Sequence, residues 1–291
     1  MGLNNIVYYK IGMERYKNGK DKNSGLYEYN LILNELEKID SQVKKGTLIV
    51  LSGALDNAEK RKVEEMINDC HSNGTKAIYI VTDSCAMSKT FMNLFDVVLH
   101  QAWEQKMKGV KVQQAYSYVP ELFFTGEVGS EKYKHDLLLF CGNDTGRQDK
   151  IKDYIRDEHG CKPNTFSLVK YSNGVDERIE HEEYLKLLKR FKYNLMICRQ
   201  DYRGIGWITA RLIESIDNWC LPVFDYEFDK NNAYRIPELT VDPNHRGGFT
   251  KVYLNFKNKP EEVENILVEM RSKVKERKEK FLETVLKCLE G

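Results

Sequence analysis

The chain has 291 residues, 41% of them hydrophobic and 31% charged, with a formal net charge of +1. That length accommodates two domains, each with its own core. No apolar run approaches the ~18 residues of a membrane span, which excludes a transmembrane helix, while the small net charge neither requires nor excludes a nucleic-acid partner.

The first residues, Met1–Ile6, carry no basic stretch leading into an apolar one, and Ile6 stands where a myristoylation signal wants Ser or Thr. The expected location is therefore cytoplasmic. Seven cysteines (Cys70, Cys85, Cys141, Cys161, Cys198, Cys220, Cys288) are scattered without a C-x-x-C pair, as free thiols in a reducing compartment would be.

Short apolar runs alternate with longer amphipathic stretches. Ile6–Tyr9 predicts a first strand, and Thr47–Leu51 a second that ends in Ser52-Gly53. From about Asn57, Val63, Met66, Ile67 and Cys70 fall at helical spacing, and Asn73-Gly74 is a helix stop. Ala77–Val81 and Asp96–Leu99 predict two more strands, and Val112–Val119 a further extended run. Strands so uniformly apolar are buried on both faces, and helices between them imply a parallel sheet.

Thr125–Lys132 is polar, glycine-bearing and aperiodic, which places a boundary between an N-terminal domain over residues 1–128 and a C-terminal one over residues 129–291. The second series opens with the strand Leu137–Cys141, a turn over Gly142–Gly146 and a helix over Arg147–Glu158. Thr165–Val169 follows, then a helix from about Glu182 to Phe191 and the strand Leu195–Cys198. A loop over Arg199–Gly206, a helix to about Asp217 and the strand Cys220–Phe224 come next. Val252–Phe256 reads as the closing strand, and Pro260–Leu289 as a long charged helix with Pro260 in its first turn. The expected fold class is α/β, with two Rossmann-like domains whose parallel sheets face a central cleft, and a long C-terminal helix.

Open α/β sheets bind ligands at the carboxyl ends of their strands. Three polar segments fall there: Thr82-Asp83-Ser84, Gly142–Arg147, and Arg199–Glu214. In the third, Arg203, Gly204 and Gly206 precede Thr209 and a helix carrying Arg211 and Glu214 three residues apart on one face. Glycines permit close backbone approach, and the helix start offers N–H groups and a positive dipole end. An arginine there can grip a diphosphate, and a carboxylate one turn on can accept from both ribose hydroxyls. An exposed i,i+3 ion pair explains the same spacing. Gly142-Asn143 through Arg147 has the form of a strand–turn–helix phosphate loop, or of an ordinary turn capped by Asp144 or Thr145. Asp83 is either a general base or a helix cap, and Glu121 is a second carboxylate candidate. The histidines show no metal-ligand spacing, and no G-x-S-x-G motif is present.

Ile208–Glu214 together with Pro222–Asp229 resembles the DNA β-glucosyltransferases of T-even phages, glycosyltransferases of the two-Rossmann GT-B type. That family has a similar I-T-x-R-x-x-E helix start and a similar E-F-D segment after the next strand. Ile78–Asp83 resembles the strand presenting the family's catalytic aspartate, and Gly142–Lys150 its phosphate-gripping loop. The resemblance implies Asp83 as general base, Arg211 on the diphosphate, Glu214 on the ribose and Arg147 at the leaving nucleotide, with Gly142, Asn143, Gly206, Thr209 and Arg203 around the donor. It implies UDP-glucose as donor, transfer with inversion, and a hydroxymethylated pyrimidine in double-stranded DNA as acceptor. The loop keeps one arginine where the family has two, a loss Arg203 can offset, and Ser84-Cys85-Ala86 departs from the family after the aspartate.

Ser84, Tyr118 and Glu121 are the acceptor-side candidates, with Tyr116 and the lysines of Lys106–Lys111 as DNA contacts or plain surface residues. The expected protein is a monomer that binds nucleotide sugar. No metal ligands are assigned, and a divalent ion at the diphosphate stays open. Two alternatives remain: a GT-B enzyme acting on a polysaccharide, protein or small molecule, and a non-catalytic nucleotide-sugar-binding protein.

Overall fold

A computed structural model describes residues 6–10, 36–52, 57–81, 88–100, 108–115, 135–139, 151, 154–155, 165–167, 181–197, 209–229, 234–241 and 247–290. The chain divides into two compact units, one of Met1–Glu121 with Glu276–Gly291, the other of Leu122–Lys275. A reading that takes one domain after another along the chain assigns the whole tail to the second half; the compact units return its last stretch to the first.

In the first unit, β1 (Ile6–Lys10), β2 (Thr47–Ser52), β3 (Ala77–Val81), β4 (Val97–His100) and β5 (Gln113–Ala115) form one sheet in that order. Every pairing is parallel, with Leu48 opposite Ala77 and Ile78 opposite Val97. Leu48–Leu51 and Ala77–Val81 are wholly buried, as strands covered on both faces must be. Helix α1 (Asn57–Ser72) connects β2 to β3 and buries Val63, Ile67 and Cys70. It ends where Asn73-Gly74 predicts. Gly74 takes φ +63°, Thr75 N donates to Cys70 O at 2.9 Å, and Gly74 N donates to His71 O at 3.1 Å, the paired bonds of a Schellman stop. A short helix, α2 (Lys89–Met92), is capped by Ser88 Oγ accepting from Phe91 N.

In the second unit, β6 (His135–Leu139), β7 (Thr165–Ser167), β8 (Phe191–Met196), β9 (Leu221–Asp225) and β10 (Thr240–Val241) pair in the order β10-β9-β8-β6-β7, again all parallel. Between them lie α3 (His181–Leu188) and α4 (Ala210–Asp217); α5 (Gly248–Phe256) and α6 (Pro260–Glu290) follow. In chain order the strands are arranged 2-1-3-4-5, so the order reverses between β6 and β8.

Two sequence expectations are corrected. Val252–Phe256 is not a strand but the end of α5, where Phe249, Val252 and Phe256 are buried at helical spacing; the strand that closes the sheet is β10. β8 begins at Phe191, which the periodicity assigns to the preceding helix. The polar residues Lys192 and Asn194 hide its apolar pattern, and both have partners: Lys192 Nζ donates to Phe256 O at 2.9 Å, and Asn194 bonds to α4.

Helix α6 presents Val263, Leu267, Met270 and Val274, then Phe281 and Val285, as one buried stripe with nearly heptad spacing. Phe281 and Val285 pack with Leu36, Ile39, Ile49, Leu51, Ile78 and Ile80 in the core of the first unit. Fully burying a side chain of this size contributes roughly 1.5–3 kcal/mol, which is why the end of the helix belongs there.

Candidate functional site

A reversal of strand order is where an open α/β sheet makes a ligand crevice, because the loops leaving the two strands run in opposite directions. In the second unit those strands are β6 and β8. β6 ends at Leu139, just before the stretch Gly142–Arg147, and β8 ends at Met196, just before Arg199–Gly206. Both stretches marked from sequence as donor loops therefore leave the strands of the reversal. Gly142, Asn143, Arg147, Arg203 and Gly206 themselves lie outside the described residues. So do Asp83 and Ser84, which follow the end of β3 at Val81, and Tyr118 and Glu121, which come after β5.

The described part of the site is α4, the helix that follows β8. Its N-cap is Thr209, in extended conformation (φ −97°, ψ 156°), and the Thr209 hydroxyl makes no capping bond to the helix. Thr209 Oγ1 is buried and has no hydrogen-bond partner among the described residues. Arg211 is half-buried and Glu214 is 6% exposed. Glu214 therefore does not sit on a solvated face, and the exposed ion-pair explanation of the spacing fails for it.

Beneath this turn lies a polar network that sequence reasoning missed. Asn194, 1% exposed on β8, donates through Nδ2 to Ser215 Oγ at 2.8 Å and approaches the Tyr184 hydroxyl at 3.5 Å. Ser215, wholly buried, donates in turn to the Arg211 carbonyl at 2.7 Å. Burial, and after it the Glu214 carboxylate, push the Tyr184 phenol far up from its ordinary range, with Arg211 acting in the opposite direction. The phenol consequently keeps its proton at any physiological pH. The available signal was Asn194 itself, a residue disfavoured in strands standing between Tyr193 and Leu195.

Two further features mark carboxyl ends of strands. Asp225, the last residue of β9, is fully buried and accepts from the Tyr154 hydroxyl at 2.8 Å. Four residues on, Asp229 takes φ +48° and accepts from Tyr234 N at 2.6 Å and Arg235 N at 2.7 Å. These bonds tie the segment that the sequence singled out as E-F-D. In the first unit, His100 ends β4 and is 1% exposed, beside the strand that leads to Asp83. Among the described residues no three or more His, Cys, Asp or Glu side chains converge as metal ligands.

No family model matches the sequence, and no curated protein matches it. Solved structures do. The β-glucosyltransferase of phage T4, in complex with UDP and Mn2+, aligns with a TM-score of 0.62 and 14% identity, over 98% of this chain and 99% of that one. The trehalose-6-phosphate synthase OtsA aligns with a TM-score of 0.53 and 9% identity, over 91% and 77% of the two chains. A UDP-forming α,α-trehalose-phosphate synthase from Burkholderia vietnamiensis aligns with a TM-score of 0.53 and 10% identity, over 91% and 79%. At these identities the likeness is one of fold. The chain has the GT-B α/β architecture of two parallel-sheet units with a long C-terminal helix.

Proposed function

We propose that this GT-B chain is a nucleotide-sugar-dependent glycosyltransferase that moves glucose from UDP-glucose, with inversion, onto a hydroxymethylated pyrimidine in double-stranded DNA. The observation that carries the proposal is the reversal of strand order between β6 and β8, with Arg211 and Glu214 on the helix that follows β8. The fold supports it, since the similar structures include enzymes solved with UDP or named as UDP-forming.

In this scheme the diphosphate lies against Arg211, Arg147 and the N-terminal end of α4. Departure of the nucleoside diphosphate builds negative charge, which cationic groups and oriented backbone N–H groups stabilise. Glu214, buried beside the same turn, accepts from the ribose hydroxyls. Gly142, Asn143, Arg203, Gly206 and Thr209 complete the donor side. A hydroxymethyl group is a poor nucleophile near neutral pH, and Asp83 takes its proton as it attacks the anomeric carbon. Ser84, Tyr118 and Glu121 stand on the acceptor side, and a base within a duplex is flipped out to reach them. No step is routed through a metal; a divalent ion found necessary in assay would join the arginines at the diphosphate.

A basic surface on the first unit supports a polyanionic acceptor. Lys89, Lys108 and Lys111 are all exposed. The Lys89 stem lies so close over Gly109 that a Cβ there would come within 2.8 Å of it. Asn93 ties the same loop, donating to Gly109 O at 3.1 Å and accepting from Lys111 N at 2.8 Å. Lysines gathered in this way suit successive phosphates of a duplex.

A second reading keeps the donor and changes the acceptor to a small molecule. The likeness to trehalose-phosphate synthases favours it, and one such synthase is described as transferring with retention. The deciding experiment is mass spectrometry of nucleosides after incubation with UDP-glucose and DNA containing hydroxymethylcytosine or hydroxymethyluracil. A gain of one hexose on either base establishes donor, acceptor and reaction. Hydrolysis of UDP-glucose without a labelled base removes the DNA acceptor and leaves the second reading. Failure to bind any nucleotide sugar removes both.

A further inference from the structure

The side chains below α4 are arranged as more than a plug of core. Asn194 spends its amide donors on two oxygens at once, Ser215 Oγ at 2.8 Å and the Tyr184 hydroxyl at 3.5 Å. Those oxygens come from different helices, since Tyr184 belongs to α3, which packs on both β8 and α4. Ser215 is the chain neighbour of Glu214, and its hydroxyl bonds to the backbone of Arg211 at 2.7 Å. One buried amide therefore fixes the backbone of the arginine and places a phenol beside the carboxylate's turn. A phenol oxygen that accepts from Asn194 still has its own proton to donate, and that proton is retained because burial and the Glu214 charge oppose its loss. Buried networks of this kind are costly unless satisfied, and they specify geometry more than they add stability.

We infer that Tyr184, tied to β8 and α4 through Asn194 and Ser215, is a positioning residue that fixes how the Glu214 carboxylate is presented, and that it thereby sets discrimination between ribose and 2′-deoxyribose nucleoside diphosphates. The inference rests on the reading of Glu214 as the group that accepts from the ribose hydroxyls. A carboxylate held in one orientation accepts from both hydroxyls, and one free to rotate loses the second bond.

Titration calorimetry of the full chain with UDP and with 2′-deoxy-UDP tests it. The parent protein is expected to prefer UDP, and Tyr184→Phe to lower UDP affinity about five- to tenfold, the size of one hydrogen bond to a charged group, with 2′-deoxy-UDP nearly unchanged. In the Tyr184→Phe, Glu214→Gln double variant, UDP is expected to bind as it does to Glu214→Gln alone, because the phenol acts through the carboxylate. Equal loss for both nucleotides in Tyr184→Phe, an unchanged preference, or additive losses in the double variant overturns the inference. Should Tyr184→Phe not fold, Ser215→Ala replaces it: a reduced UDP preference supports the positioning role and a full preference overturns it. If Glu214→Gln abolishes the preference and Tyr184→Phe keeps it, only the inference fails. If the parent shows no preference, the reading of Glu214 fails and the inference falls with it.

Discussion

The guanidinium of Arg271, on α6, lies 4.9 Å from the ring centroid of Trp219, just past the end of α4, and donates to the Asp217 carbonyl at 2.9 Å. Trp219 occupies the left-handed position of a Schellman stop, with φ +57°; Cys220 N donates to Ser215 O at 2.9 Å, and Trp219 N to Ile216 O at 3.4 Å. A bulky residue there costs about 1–2 kcal/mol relative to the right-handed region. The stacked guanidinium and the Asp217 carboxylate, 3.7 Å from Arg271 Nη1, help to offset that cost. Arg271→Ala is expected to lower unfolding free energy by about 1–3 kcal/mol. Trp219→Gly, although it relieves the backbone, is expected to lower it as well by removing the buried ring. Urea denaturation measures both, and a stabilised Trp219→Gly would show that strain outweighs packing.

Arg211→Ala is expected to weaken UDP binding by about tenfold or more, the loss of a charge-assisted contact to phosphate, with little effect on uridine. Glu214→Gln is expected to weaken UDP and uridine alike, because both carry the ribose. Equal effects of Arg211→Ala on the two ligands would place the arginine away from the phosphates.

Asp83→Asn separates chemistry from binding. The proposed base role predicts an unchanged donor affinity and a transfer rate lower by about a hundredfold or more. A variant that binds and transfers as the parent does would return Asp83 to the role of a helix cap.

Lys89, Lys108 and Lys111 are predicted to act through phosphates. Replacing all three by alanine is expected to weaken DNA binding regardless of base modification and to flatten its salt dependence by about 0.9 in log–log slope for each phosphate no longer neutralised. Fluorescence anisotropy between low and physiological salt reads that slope, and an unchanged slope would remove this surface from the acceptor side.

Alkaline pH should reveal the groups under α4. Burial raises the Cys220 thiol well above 9.0, and burial followed by Glu214 raises the Tyr184 phenol above 10.0. The folded state thus holds these protons more tightly than the unfolded chain. Their contribution is complete below the unfolded values, about 8.5 for a thiol and about 10 for a phenol, and is lost as pH rises past them. The urea midpoint is expected to be level to about pH 8 and to fall above it, with Cys220→Ala removing part of the first decline. A midpoint insensitive to pH would contradict the burial of these groups.

Asn73-Gly74 and Asn218-Trp219 end their helices with the same pair of backbone bonds, yet only the first is legible in sequence. A glycine after a helical run signals the left-handed residue because no other side chain adopts it freely. A tryptophan signals nothing, since the group that holds it is Arg271, far along the chain on α6. The same distinction runs through β8: Phe191, Lys192 and Asn194 conceal a strand because their partners lie on α3, α4 and α5.

The sequence by itself determined the α/β class, most element positions, and the placing of Arg211 and Glu214 on one turn. Those features follow from local periodicity, caps and i,i+3 spacing, which neighbouring residues set among themselves. Only the tertiary structure decided that β6 and β8 are adjacent, that Glu214 is buried over a Tyr184–Asn194–Ser215 network, and that Phe281 and Val285 belong to the core of the first unit. Strand order and burial join residues far apart in the chain, and no local pattern records which partner closes them.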